Sequence, residues 1–195
     1  ILLIRFIGME DYGKMMFLIA TFTAVWGVVD LGSSSIFFNL VSQKFRSIRF
    51  VNIFWCWILF QFIIVFFLVA LVIPEEVIKQ IWIHEDKGLL ICAMVFSFIQ
   101  SSVWNNASRL AECVYKSVFS QSLYTLSIAA HFALIILIYN FYYLSIQLLL
   151  ILNAVEMLII SVVVTRLYYN ENKYNVNDDN NISYLVKELI IKMIP

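Results

Sequence analysis

A chain of 195 residues that is 63% hydrophobic, 16% aromatic and only 13% charged, with zero formal net charge, has too little polar surface to cover a soluble globule. It reads as an all-α, polytopic membrane helix bundle, and with neither a basic excess nor a basic stripe it carries no footprint for nucleic acid. Cys56, Cys92 and Cys113 lie in or beside apolar runs without Cys-x-x-Cys spacing, so neither a redox pair nor a metal site is expected, and no cofactor.

In chain order, residues 1–7 read as the end of a preceding membrane helix, with Arg5 placed to snorkel toward the interface. The chain opens on Ile1 inside an apolar run and stops at Pro195 as another begins, so a fragment of a longer protein is expected. The acidic stretch Gly8-Met9-Glu10-Asp11-Tyr12-Gly13 should turn the chain back into a span over about residues 14–38. From Met15 to Gln43 the sole ionisable side chain is Asp30, followed by Leu31-Gly32-Ser33-Ser34-Ser35. At about 1.5 Å per residue this run exceeds the roughly 30 Å of a bilayer core, so it must tilt, bend or emerge. Gly27 and Gly32 flank Asp30; they mark a bend or a tight helix contact, or reflect only the frequency of Gly in membrane helices.

Lys44, Arg46 and Arg49 form a short basic loop, and residues 50–73 a second span. Residues 74–87 mix Glu75, Glu76, Glu85 and Asp86 with Ile81-Trp82-Ile83, the pattern of a short helix lying at the interface. A third span covers residues 88–108, followed by Arg109, Glu112 and Lys116. Between Ser117 and Val155 the sole acidic or basic side chain is His131, and the aromatic cluster Tyr139-Asn140-Phe141-Tyr142-Tyr143 divides this stretch into spans at about 120–139 and 146–166. Residues 1–169 thus form one transmembrane bundle, 170–182 a solvated linker rich in Asn and Asp, and 183–195 the start of a second bundle. Basic residues in short loops place Lys44, Arg46, Arg49, Arg109, Lys116, Arg166 and Lys173 on the cytoplasmic side.

The motif Arg5-Phe6-Ile7-Gly8-Met9-Glu10-Asp11-Tyr12-Gly13, followed by Asp30-Leu31-Gly32, resembles the start of bacterial polysaccharide flippases of the Wzx O-antigen type. These belong to the multidrug/oligosaccharidyl-lipid/polysaccharide exporter superfamily. Ile7 and Met9 depart from the Leu and Pro common in that family. The resemblance implies two similar six-helix bundles around an alternating-access cavity in the bacterial inner membrane. It further implies an undecaprenyl-linked oligosaccharide as substrate, a coupling proton or sodium ion, and polysaccharide polymerase partners.

Candidate site residues follow from depth and polarity. An ionisable group inside a membrane span is costly and marks function, so Asp30 and Glu156 are candidates, and Arg109 or Lys116 are offered as partners of Asp30. Gln61, His131 and Glu156 fall near the middle of their spans, where transporter sites sit, and Asn153 shares a helix face with Glu156. Glu156 with His131 would couple an ion. A lone His can equally be a neutral imidazole bonded between helices. Gln100, Asn105 and Asn106, beside Trp104, have the amides and ring face that sugars need; they serve equally as interhelical glue. Not an enzyme is the expectation, since no Gly-rich phosphate loop, His-Glu-x-x-His or Ser/His/acid frame occurs. The alternatives are a cation-coupled multidrug exporter, a membrane glycan polymerase or acyltransferase, and a structural subunit, which would leave Asp30 and Glu156 unexplained.

Overall fold

The computed structural model describes residues 7–43, 48–82, 86–141, 145–172, 186–187 and 189–191. Among these there is no strand. In chain order the helices are α1 (Met9–Asp30), α2 (Ser33–Gln43), α3 (Ile48–Val72), α4 (Glu75–Ile81), α5 (Lys87–Cys113), α6 (Ser117–Phe141) and α7 (Ile146–Asn172). Five of them, α1, α3, α5, α6 and α7, are long and apolar enough to cross a membrane, which makes this a multi-pass membrane protein. Two carry π-helical turns: α3 at its end, Leu68–Val72, and α5 at its middle, Ile99–Trp104.

The bundle is built around α5. Half of its most apolar window is buried, against 6% for α6, and it packs on α1, α2, α3, α6 and α7. The residues responsible are small and four apart: Ala93 with Ser97, and Ala107 with Ala111, all fully buried, so neighbouring backbones approach closely. Two side chains reach across to backbone carbonyls at this contact, Trp26 Nε1 to Met94 O and Ser97 Oγ to Ile19 O, each at 3.4 Å. A ring layer of Trp26, Phe62 and Phe98, with centroids 4.5 to 6.0 Å apart, ties α1, α3 and α5 together.

Several expected boundaries move. Helix α1 begins at Met9, not at residue 14, because Glu10 and Asp11 suit a helical first turn and Lys14 pairs with Glu10 at 3.0 Å; the expected loop shrinks to Gly8 at φ 89°. The span expected over residues 14–38 is two helices, broken at Leu31 and Gly32. Gly27 is not a tight contact, for its α-carbon faces open space. Helix α7 runs past Arg166 to Asn172, taking in the first residues of the expected linker; its Tyr168 is fully buried and Tyr169 donates to Asn52 on α3. The rest of that linker, and residues 1–6, lie outside the described residues. The interfacial segment does not simply lie on the surface, since Trp82, just beyond α4, is buried and stacks on Phe22 of α1 at 5.9 Å. Of residues 183–195, Val186 and Leu189 pack on the first bundle's core.

The contacts between span ends fall into two sets, as alternating traverses require. Arg109 lies over the Phe38 ring at 5.8 Å, Lys116 pairs with Glu171 at 3.6 Å, and Tyr169 bonds Asn52 at one end. At the other, Ile7 and Ile138 pack on Ile135 and Leu149.

Candidate functional site

The first polar centre is the break between α1 and α2. Leu31 and Gly32 both take positive φ, 49° and 77°, which turns the chain out of α1 and starts α2 on a new axis. Gly32 suits this because an L-residue there would be strained, although the space around it is open. The turn exposes the first N–H groups of α2, and Asp30 meets them. Its carboxylate accepts from Ser34 N at 3.2 Å, from Ser33 Oγ at 2.8 Å and from Ser34 Oγ at 2.6 Å. A negative charge at a helix N-terminus is stabilised by the helix dipole as well as by these donors. Asp30 makes no ion pair among the described residues, so the expected partnership with Arg109 or Lys116 is corrected: those cations lie over Phe38 and beside Glu171. Serine donors replace them because the break brings α2's own N-terminus within reach.

The same break frees carbonyls at the end of α1, and Gln61 covers one of them, Nε2 donating to Val29 O at 2.9 Å. Only 9% exposed, Gln61 is therefore committed to the broken helix instead of lining a cavity, as expected from its depth. In a membrane such a carbonyl has no water to turn to. Gln61→Leu should lower stability by about 1 kcal/mol, read as a drop in the thermal midpoint in detergent; an unchanged midpoint would refute this role.

Asn106, 1% exposed, joins this centre to α5. Its Nδ2 donates to Ser34 Oγ at 3.1 Å and to Ser102 O at 2.7 Å, while its Oδ1 finds no donor among the described residues. Asn105 Nδ2 likewise turns back to Ser101 O, at 2.9 Å. These amides hold carbonyls of the π-helical turn, whose altered register leaves such groups poorly matched along the helix. Trp104 is buried and stacks on Tyr124 of α6 at 5.3 Å, so its ring face is not offered to a sugar. Of the polar run in α5, Gln100 alone of the three candidate amides stays half-buried without a partner among the described residues.

The second centre joins α6 to α7. Glu156 lies ten residues from both Ile146 and Arg166, about 15 Å from either. His131 Nδ1 stands 2.9 Å from Glu156 Oε2, with side chains 15% and 14% exposed. Neither His131 Nδ1 nor either Glu156 oxygen makes an aligned hydrogen bond among the described residues, nor does Ser127 Oγ, one turn away on the His131 face. Asn153, half-buried, is one turn from Glu156 and has no partner there either. Several unsatisfied polar atoms thus gather where a bilayer offers nothing to satisfy them. On the opposite face of α6, away from His131, Ser117, Val118, Gln121, Ser122, Thr125, Leu126 and Ala129 line an open hollow of about 690 Å³.

The two centres are separate: Asp30, Gln61 and Asn106 belong to one, Asn153, His131 and Glu156 to the other. No group of three or more metal-ligating side chains occurs among the described residues. Comparison with protein-family models, with curated proteins and with solved structures finds no match.

What the sequence reasoning missed is the role of serine. Ser33 and Ser34 after Asp30 form a helix-start signal inside an apolar run, and Ala93, Ser97, Ala107 and Ala111 repeat at the spacing of close helix packing; both patterns could have been read.

Proposed function

We propose that this chain is the first bundle of an alternating-access carrier that moves a lipid-linked oligosaccharide across the bacterial cytoplasmic membrane for surface polysaccharide assembly. The observation that carries the transporter reading is the His131–Glu156 pair at 2.9 Å, placed midway along two spans with its oxygens unsatisfied. A structural subunit has no use for such a costly pair, whereas a carrier needs a group that changes charge as water reaches it from alternate sides. The oligosaccharide class rests on the resemblance of Arg5 to Gly13 and of Asp30-Leu31-Gly32 to the flippases.

In this mechanism Glu156 and His131 hold the coupling ion. Binding or release of a cation there changes the net charge of the centre. Gain or loss of that charge biases which side of the α6–α7 unit meets water. The full-length protein, reconstituted in sealed vesicles with a lipid-linked oligosaccharide, should expose the glycan to an external lectin only when an ion gradient is applied. Equal exposure in protein-free vesicles would overturn the proposal, and gradient-driven export of a lipophilic cation without glycan movement would reassign the protein to drug export.

A further inference from the structure

We infer that the hollow between α3, α5 and α7 is a binding site for one anionic glycerophospholipid of the membrane leaflet at the basic end of the bundle. The hollow holds about 300 Å³ and is lined by Trp55, Val103, Ser161, Val162, Thr165, Arg166 and Tyr169. That is twice the volume of the roughly 150 Å³ cavity that accommodates benzene. Its walls belong to three membrane-spanning helices, so in a bilayer the molecules that reach it first are lipids, whose chains match Trp55, Val103 and Val162.

The lining of the hollow is almost wholly apolar, with Thr165, Arg166 and Tyr169 grouped toward the C-terminal end of α7. Ser161 is satisfied, its hydroxyl donating to Met157 O at 2.7 Å, and belongs to the apolar floor. One turn on lie Thr165 and Arg166, and a turn further Tyr169 donates to Asn52 across the gap to α3. Arg166 is exposed and makes no ion pair with an acid among the described residues, whereas Lys116 nearby is already matched by Glu171. An exposed guanidinium with no acid partner among the described residues, set at one end of an apolar trough that includes the Trp55 ring, fits a phosphate head with one chain beneath it. Charge complementarity selects an anionic head over a zwitterionic one. The site does not depend on the transport reading, since Ser161, Val162, Thr165, Arg166 and Tyr169 lie on the face of α7 opposite Glu156.

Quenching of Trp55 fluorescence by brominated lipids tests this. The full-length protein and a Trp55→Phe variant are reconstituted in phosphatidylcholine nanodiscs carrying either brominated phosphatidylglycerol or brominated phosphatidylcholine, and the difference between the two proteins isolates Trp55. Quenching by the anionic lipid should reach half its maximum at about one-fifth of the mole fraction that the zwitterionic lipid needs. Arg166→Gln should remove that preference, and Arg166→Lys should retain it. Equal quenching by both lipids, a preference that survives Arg166→Gln, or no quenching of Trp55 by either lipid would overturn the inference. Displacement of the brominated anionic lipid by a lower mole fraction of polyprenyl phosphate would also overturn it, by assigning the hollow to an isoprenoid-linked substrate.

Discussion

Replacing Glu156 with glutamine is expected to abolish gradient-driven transport while leaving the fold and substrate binding in place. The amide has the carboxylate's shape and keeps an acceptor toward His131, but it can neither ionise nor release a proton. Leucine substitutions then separate coupling from stability. Glu156→Leu leaves His131 buried beside hydrocarbon, and that orphaned imidazole should cost about 3 kcal/mol. His131→Leu leaves an uncompensated carboxylate at the same depth, with a similar loss. The double leucine variant removes both groups, and replacing a buried pair by apolar residues of similar volume is often neutral or stabilising. The three measurements therefore form a cycle with strong non-additivity. Thermal unfolding in detergent reads the stability, and all three leucine variants should be inactive. Simple addition of the two losses in the double variant would mean that the groups, though 2.9 Å apart, do not act as a pair.

The second large effect is expected at the break between α1 and α2. Asp30→Leu removes the acceptor for Ser34 N, Ser33 Oγ and Ser34 Oγ together, and leaves the start of α2 uncapped. The loss should be about 2 kcal/mol, at the upper end of what helix caps contribute. Asp30→Asn keeps one acceptor oxygen and should recover more than half of that. Gly32→Ala, at φ 77°, should cost about 1 kcal/mol through backbone strain alone. If Asp30→Leu unfolds at the temperature of the unaltered protein, the carboxylate is not what holds the break. Arg109→Gln should leave that temperature nearly unchanged, because Arg109 is engaged with Phe38 and not with Asp30.

The membrane spans were legible because apolar length is a one-dimensional property: a run long enough to cross a bilayer must be helical to satisfy its own backbone. The pairing of His131 with Glu156 was legible for a similar reason. Both lie about equally far from the turn that joins their helices, and antiparallel neighbours bring such positions level. Asp30 was recognised as a group that cannot face lipid, but its partners were misread, since Arg109 and Lys116 were chosen by charge and proximity to the same membrane face. The residues that satisfy it are three and four positions away, and become available only because Leu31 and Gly32 break the helix. Gln61 was misread in the same way. Its depth resembles that of a substrate ligand, yet it answers a carbonyl that the break exposes on another helix. The polar run in α5 does not act as one face, because Asn105 and Asn106 each turn back to the carbonyl four residues earlier, Ser101 and Ser102, within the π-helical turn.

The central claim is that the His131–Glu156 centre meets water from alternate sides of the membrane. A single cysteine at Asn153, one turn from Glu156, tests it in the full-length protein with Cys56, Cys92 and Cys113 changed to serine. In sealed vesicles, a membrane-impermeant thiol reagent should modify that cysteine from one face at a time, and reversal of the ion gradient should switch the reactive face. Modification by a lipid-soluble reagent, with no reaction from either aqueous face under either gradient, would place this side of α7 against lipid or protein and contradict the account.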